Sequence, residues 1–244
     1  MDCSEDRFLG GRIGVRQPRD GFRSGTDAVM LAAAVPAGAG EEILELGSGV
    51  GIASLCLVAR VPGCRIQGVE IAPELVTLAD GNARANALER RVQFEHANAF
   101  ALPRPLRREF DHVFCNPPFH QSAGEVSPNA DRARALSDRE GLGRWIDAGL
   151  ARTTGDGTLT MILRADRLAE ALRAAPQYGV CVFPLWPCVG EAAKRILLQI
   201  RKNSHAPLRL AAGLVLHDAD GRYTAQADAV LRGVTSLALA SPRL

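Results

Sequence analysis

The chain has 244 residues, of which 47% are hydrophobic and 23% are charged, and its formal net charge is +2. This length is enough for one large domain with a sizeable buried core, and the composition is that of an ordinary globular protein. No run approaches the roughly 18 apolar residues of a membrane-spanning helix, so we expect no membrane partner. The acidic, polar start of the sequence does not resemble a signal peptide.

Six cysteines are scattered along the chain, and no two of them have the C-x-x-C spacing of a zinc site. The five histidines show no metal-ligand spacing either. We therefore expect no metal, and we expect reduced thiols in a cytoplasmic protein.

Helical and extended patterns alternate along most of the chain. Residues 1–25 are rich in Gly and Arg and predict an N-terminal cap or a β-hairpin. A short helix is predicted over 26–35, with Thr26 as its N-cap and Pro36 as its stop. Strands are then predicted at 43–46, 65–69, 92–95, 111–115, 158–163, 178–183 and 194–201, and helices at 52–60, 73–86, 139–152 and 166–174.

This alternation of strands and helices predicts the fold class. Strands that alternate with helices at such a spacing form parallel βαβ units. We predict a single α/β domain over 1–244, with residues 1–25 as its cap and a doubly wound, Rossmann-like sheet of seven strands. The sheet is mostly parallel, and the last two strands, which have no helix between them, predict an antiparallel hairpin at one edge.

A glycine turn at 47–51 follows the first predicted strand of the sheet. Ligands of open α/β sheets bind beyond the carboxyl ends of the strands, and glycines let a ligand approach the backbone closely. Glu70 closes the second strand, where a carboxylate can accept hydrogen bonds from both hydroxyls of a ribose. The pattern predicts an adenosine-containing cofactor.

Two other interpretations of this turn stay open at this point. NAD-binding folds use the same physics, but their spacing is G-x-G-x-x-G and the turn here is G-x-G-x-G. Glu45, at the end of the strand, could hold an amino group, and NAD has no ammonium to offer. The second alternative is a tight turn without any ligand.

The run 45–51 (ELGSGVG) resembles the first motif of class I methyltransferases. The resemblance implies that Glu45 and the glycine turn surround the methionine part of S-adenosylmethionine and that Glu70 binds its ribose. In many such enzymes an Asp after the third strand contacts the adenine amino group. The matching position here is Asn98, with Ala99 beside it, and Asn can accept this hydrogen bond but carries no charge. The cofactor-binding residues expected in the turn are Gly47, Gly49 and Gly51.

The run 116–119 (NPPF) follows the fourth predicted strand directly, at the same end of the sheet. The exocyclic nitrogen of adenine is a poor nucleophile because its lone pair is delocalised into the ring. The Asn116 side-chain oxygen and a carbonyl of Pro117 or Pro118 could each accept one of its N–H bonds and stabilise the positive charge of methyl transfer. Phe119 can stack on a flipped-out base. We therefore predict Asn116, Pro117, Pro118 and Phe119 as the catalytic residues, with Asn116 also beside the cofactor.

Further segments resemble the bacterial tRNA1(Val) (adenine-N6)-methyltransferase family, and the resemblance covers nearly the whole chain. It implies a target adenosine in the anticodon loop of a tRNA, adjacent to the anticodon. It also implies that Thr26 and Asp27 lie beside the methionine end of the cofactor, although Asp27 could equally be an ordinary first-turn residue of the helix. The segments are 22–32, 127–128 with Arg132 and Arg134, 193–196, 216–218 and 221–224.

Asn-Pro-Pro-aromatic tetrapeptides also occur in guanine-N2 ribosomal RNA methyltransferases and in enzymes that methylate a glutamine of release factors. Both remain alternatives on the tetrapeptide alone. An alternative of another class is an RNA-binding module that kept the fold without the catalysis, and the presence of Glu45 and Asn116 argues against it.

Overall fold

The computed structural model describes residues 2–20, 23, 25–118 and 141–239. Within them the strands are β1 (Cys3–Phe8), β2 (Ile13–Pro18), β3 (Glu42–Leu46), β4 (Arg65–Glu70), β5 (Val92–His96), β6 (Phe110–Cys115), β7 (Thr153–Arg164), β8 (Val180–Trp186), β9 (Arg195–Arg201), β10 (Arg209–Leu210) and β11 (Leu214–Val215). The α-helices are α1 (Thr26–Ala34), α2 (Ile52–Arg60), α3 (Pro73–Ala85), α4 (Gly141–Leu150), α5 (Leu168–Ala174) and α6 (Ala225–Leu231). Short 3-10 helices span Arg104–Leu106 and Ala165–Arg167.

The main sheet has the strand order β5-β4-β3-β6-β7-β9-β8-β10, and β11 also pairs with β8. Neighbours from β5 to β7 are parallel, whereas β9 is antiparallel to both β7 and β8. The mostly parallel, doubly wound sheet and its antiparallel strand pair are thus confirmed. Within the described residues the sheet has nine strands rather than the predicted seven, because β10 and β11 extend it beyond β8. Each has only two residues, too few to show a period in the sequence.

Helices cover both faces of this sheet, and the strand side chains alternate between the two layers. Helices α1, α2, α3 and α6 pack on one face, which includes Ile43, Phe114 and Ile162. Helices α4 and α5 pack on the other face, which includes Leu44 and Leu46. The central strands are therefore covered on both sides, as a parallel sheet requires.

The predicted cap at the N-terminus is a β-hairpin, in which β1 and β2 pair antiparallel from Cys3 opposite Pro18 to Phe8 opposite Ile13. Two asparagines, Asn82 of α3 and Asn86 at its C-cap, bind the backbone of β2. The Asn82 side chain accepts a hydrogen bond from the Arg16 amide (2.9 Å) and donates to the Arg16 carbonyl (3.1 Å). Asn86 bonds the amide and carbonyl of Gly14 in the same way. Side-chain amides thus take the place of a neighbouring strand along this edge of the hairpin.

Helix α1 begins where the sequence predicts it, but its N-cap is Gly25 and Thr26 is its first helical residue. No side chain caps this end of the helix. None of the described helices is both long and apolar enough to cross a membrane.

The Phe94 ring of β5 packs against two backbone positions beside the glycine turn. A Cβ at Gly68, in β4, would lie 2.5 Å from Phe94 Cδ1 and 3.1 Å from the Ser48 Cβ. A Cβ at Gly51, whose φ is +86°, would lie 2.5 Å from Phe94 Cζ. Both positions therefore require glycine, and the ring fixes how closely the turn approaches the sheet.

We expect Gly68→Ala to lower the free energy of unfolding by about 1–3 kcal/mol, since the added methyl overpacks the contact with Phe94. The matched control is Gly81→Ala on α3, where an added Cβ meets nothing within 4 Å. That control should raise stability by about 0.5–1 kcal/mol, because alanine favours a helix interior over glycine. Urea unfolding of the two variants measures both effects, and equal stabilities would contradict the packing described for Phe94.

Candidate active site

The register of the central strands brings three sequence-predicted residues to one edge of the sheet. Leu46, the last residue of β3, pairs with Cys115 of β6 on one side and with Val69 of β4 on the other. The residues that follow Leu46, Cys115 and Val69 are Gly47, Asn116 and Glu70, respectively. Because neighbouring strands lie about 4.8 Å apart, these three residues leave the sheet side by side. This point lies where the connections from β3 and β6 diverge, which is where open α/β sheets bind their ligands.

The glycine turn is held to the sheet by its backbone. The amides of Gly47 and Ser48 both donate to the Val69 carbonyl at 2.9 Å. Gly47, Gly49 and Gly51 all have positive φ, at +74°, +54° and +86°. A Cβ at Gly49 would meet nothing within 4 Å, so the backbone there borders open space that a ligand can approach.

Glu70 is fixed by two backbone amides. Its Oε2 accepts a hydrogen bond from the Gly49 amide (2.9 Å), and its Oε1 accepts one from the Ala72 amide (3.0 Å) at the start of α3. Each carboxylate oxygen has a second lone pair, so it can still accept a hydrogen bond from a ligand hydroxyl. The acid predicted to bind the ribose is thus oriented by the glycine turn itself.

Glu45 is buried within β3, and its carboxylate accepts a hydrogen bond from the Ser54 hydroxyl in the first turn of α2. Burial raises the pKa of Glu45 to about 8, the hydroxyl and amide of Ser54 oppose that rise, and the charge of Glu70 adds to it. A neighbouring ammonium group would favour the ionised carboxylate instead. The contact between Ser54 and Glu45 was not predicted from the sequence; its only signal there is the position of Ser54 in the first helical turn after the glycines.

Asn116 places a buried acceptor at this edge. Its Oδ1 atom is buried and has no hydrogen-bond partner among the described residues. An unpaired buried carbonyl costs about 1–3 kcal/mol, which a donor group of a ligand would recover. The Pro118 carbonyl accepts a hydrogen bond from Arg167 Nη1 (3.4 Å), whereas the Pro117 carbonyl has no such partner within the described part of the chain.

A pair of side chains that sequence reasoning missed supports the Asn-Pro-Pro segment. Arg167 is mostly buried and forms two hydrogen bonds of 3.0 Å to the carboxylate of Glu170. Glu170 also accepts a hydrogen bond from the Leu142 amide (2.7 Å) near the start of α4. The guanidinium that contacts Pro118 is therefore fixed to two helices, and the i,i+3 spacing of Arg167 and Glu170 was its signal in the sequence.

The remaining predicted residues have other surroundings. Asn98 is exposed beyond the carboxyl end of β5, and its Oδ1 already accepts a hydrogen bond from the Phe100 amide (2.9 Å), while Ala99 packs against the core. Thr26 is exposed, and Asp27 forms an ion pair with Arg195 (2.8 Å). Their contacts with a cofactor stay predictions.

Phe119, predicted to stack on the target base, lies outside the described residues, as do residues 127–128, Arg132, Arg134 and the first two residues of the helix predicted at 139–152. Among the described residues no cluster of three or more His, Cys, Asp or Glu side chains could hold a metal ion. None of the six cysteines forms a disulfide.

Comparison with known proteins identifies the family. The model of the methyltransferase small domain matches residues 19–133. The tRNA1(Val) (adenine(37)-N6)-methyltransferase of Porphyromonas gingivalis is 30% identical over 236 residues, which cover 90% of this chain and 91% of that protein. The chain belongs to this methyltransferase family.

Two other known proteins are also similar to this chain. The Haemophilus influenzae enzyme of the same name is 25% identical over 211 residues, covering 86% of this chain and 90% of that one. The crystal structure of a predicted O-methyltransferase from Agrobacterium tumefaciens superposes with a TM-score of 0.73 and 25% identity, over 86% of this chain and 98% of that one. The class I methyltransferase fold is therefore confirmed, and S-adenosylmethionine is its cofactor.

The residues of this methyltransferase fit that cofactor. Glu45 offers a buried carboxylate for an ammonium group, and Glu70 offers fixed acceptors for ribose hydroxyls. Ser48 Oγ is a second buried polar atom without a partner among the described residues, and it belongs to the glycine turn. Unpaired polar atoms beside an open glycine backbone are what a polar ligand would satisfy.

We expect the stability of the methyltransferase to fall with rising pH because of Glu45. Its pKa in the folded state is about 8, above the ordinary 4.5, so the folded state holds the proton more tightly. This contribution is fully present below pH 4.5 and is lost as the pH rises through about 8. Glu45→Gln removes the titrating group, so the stability of this variant should not fall in the same way. The difference in unfolding free energy, variant minus wild type, should therefore be a few kcal/mol larger at pH 9 than at pH 5. Chemical denaturation across this range measures the difference, and parallel pH profiles would contradict it.

We expect Arg167→Met to reduce the rate of methyl transfer about tenfold, since the Pro118 carbonyl then loses the contact that orients the segment. The dissociation constant of S-adenosylmethionine should change little. Arg164→Met is the matched control, because Arg164 is exposed and pairs with Asp166. Single-turnover rates and cofactor titrations of both variants separate the two effects. If both variants turn over at the wild-type rate, the contact with Pro118 does not position the site.

Proposed function

We propose that this protein transfers a methyl group from S-adenosylmethionine to the exocyclic N6 of an adenosine in tRNA, adjacent to the anticodon. The observation that carries the proposal is the buried Oδ1 of Asn116, which has no hydrogen-bond partner in the described part of the chain and belongs to the residue that follows β6 beside the glycine turn. The names of the relatives support it, since those proteins are described as acting on adenine 37 of tRNA1(Val). The aligned regions cover about nine-tenths of both chains in the Porphyromonas match, so the proposal extends to the whole protein.

The chain provides acceptors for both N–H bonds of the adenine amino group. One N–H donates to Asn116 Oδ1, and the other donates to a carbonyl of the Pro117–Pro118 pair, of which the Pro118 carbonyl also accepts the 3.4 Å hydrogen bond from Arg167. These hydrogen bonds favour a tetrahedral nitrogen and stabilise the positive charge that develops on it. When bound, S-adenosylmethionine supplies an electrophilic methyl group.

Most of the acceleration comes from positioning. Proline carbonyls suit this role because the ring fixes φ and removes competing N–H donors. Glu45 would hold the methionine part of the cofactor, Glu70 would hold its ribose, and Asn116 would hold the nitrogen in line with the methyl. The methylated amine can release its proton to water, so the reaction needs no strong general base.

We also propose that residues 1–244 act as one domain, with residues 1–25, which include the β1–β2 hairpin, as its cap. Asn82 supports this, since it binds both the hairpin and the Val50 carbonyl of the glycine turn (3.0 Å). A tRNA substrate and free cysteines are consistent with a cytoplasmic site of action.

We expect Asn116→Ala to lower the rate of N6-methyladenosine formation by about 10²–10³-fold, the usual effect of removing one group that stabilises developing charge. The assay uses labelled S-adenosylmethionine, unmodified tRNA and mass spectrometry of the nucleosides. Asn98→Ala is the control: because Asn98 is exposed at the neighbouring strand end, it should keep the reaction and weaken cofactor binding at most several-fold.

The products also discriminate the alternatives. A methylguanosine product would indicate guanine-N2 chemistry at the same site, and label in an added release factor would indicate glutamine methylation. RNA binding without transfer would indicate a non-catalytic module. Each of these outcomes would overturn the proposed substrate.

A further inference from the structure

A short loop after β11 holds two aromatic rings in contact. His217 and Tyr223 are stacked, with 4.7 Å between ring centroids and 26° between ring planes. Tyr223 is 40% exposed, although a large aromatic side chain gains most from burial. The sequence 217–224 (HDADGRYT) carries part of the family resemblance, and the chemistry at Asn116 makes no use of it.

The loop is rigid, so the exposure of Tyr223 is built into it. Asp218 donates its amide to the Arg222 carbonyl (2.8 Å), and Gly221 donates to the Asp218 carbonyl (2.9 Å). Thr224 closes the loop with two hydrogen bonds, from its amide to the Leu216 carbonyl (2.9 Å) and from its hydroxyl to the Val215 carbonyl (2.8 Å). A ring presented by such a loop loses little conformational entropy when a ligand stacks on it.

The stacked pair lies at the same edge of the sheet as the candidate active site. Val215 of β11 pairs with Trp186, the last residue of β8, and His217 follows beyond that end. Its Nδ1 lies 3.1 Å from the Pro187 carbonyl. Four strand spacings separate β11 from β6, which amounts to about 19 Å along the edge from Asn116.

Two arginines near this edge are each paired with a carboxylate. Arg222 pairs with Asp220, and Arg195 pairs with Asp27. A ligand at Tyr223 would therefore be recognised mainly through the ring face rather than through attraction to a basic patch. An unpaired nucleobase is a ligand of this kind, because every base offers a flat face for stacking and single-stranded RNA exposes it.

We propose that Tyr223 is a second contact site for the RNA substrate, on which an unpaired base other than the methylated adenine stacks. This inference rests on the proposed function and specifies the form of its substrate. The RNA spans from the active site to β11, with one base in the site at Asn116 and another on Tyr223. The single-stranded loop of an anticodon arm provides several unpaired bases for such a contact.

The test compares two tyrosines of similar exposure. Tyr178, which is 45% exposed, lies at the opposite end of β8 and faces His205 with 6.4 Å between ring centroids. Fluorescence anisotropy measures the dissociation constant of a labelled anticodon stem-loop RNA for each variant. We expect Tyr223→Ala to bind about 5- to 100-fold more weakly, and we expect Tyr223→Trp and Tyr178→Ala to bind within about twofold of the wild type.

Salt dependence separates stacking from phosphate contacts. The ratio between the dissociation constants of Tyr223→Ala and the wild type should be the same at 50 and 200 mM salt, because stacking releases no counterions. A ratio that collapses at high salt would overturn the stacking role, as would an unchanged affinity of Tyr223→Ala or an equal loss in Tyr178→Ala. Thermal melting of each variant checks folding, and Tyr223→Trp retains a ring if the alanine variant unfolds.

The outcomes also distinguish this inference from the proposed function. Wild-type methyl transfer to tRNA together with unchanged RNA affinity in Tyr223→Ala overturns this inference alone. Absence of both transfer and RNA binding in the wild type overturns the two together. A change of oligomeric state in Tyr223→Ala, with RNA affinity unchanged, would assign the surface to a second copy of the chain.

Discussion

The parallel backbone pairing of β3 with β4 and β6 is the constraint on which the site depends. It sets the strand ends in register, so that a glycine turn, a carboxylate and an amide emerge next to one another. The Val69 carbonyl then accepts two amides of the turn, and Glu70 accepts a third. A shift of one residue between these strands would turn the buried side chains to the other face, so the hydrophobic layers on both sides fix the register.

The packing also decides which polar groups are available for chemistry. Arg167 donates a hydrogen bond to the Pro118 carbonyl, and the Phe100 amide donates one to the side-chain oxygen of Asn98. The Asn116 oxygen stays unpaired among the described residues, although it is buried. A site prepared in this way does not have to break internal hydrogen bonds when a substrate amine arrives, which is the advantage of preorganised electrostatic stabilisation.

The sequence predicted the seven long strands and the glycine turn because these features depend on local patterns. A buried strand, an amphipathic helix and a G-x-G-x-G turn can each be recognised within a window of a few residues. The Ser54–Glu45 contact, the link from Arg167 to Pro118 and the role of Phe94 were not predicted. Arg167 and Pro118 are 49 residues apart, and only the folded chain brings them together. The strands β10 and β11 were not predicted, because their extended conformation depends on pairing with β8 and not on a pattern in their own residues.

Asn82 links the hairpin to the cofactor side of the molecule through one buried side chain. It bonds the amide and carbonyl of Arg16 and, with its remaining N–H, the carbonyl of Val50. Docking of the hairpin and the shape of the glycine turn therefore both depend on this one side chain. We expect their opening reactions to be coupled, so that a ligand that rigidifies the turn also slows hydrogen exchange of the Arg16 amide. The N-terminal hairpin can in this way take part in holding the cofactor.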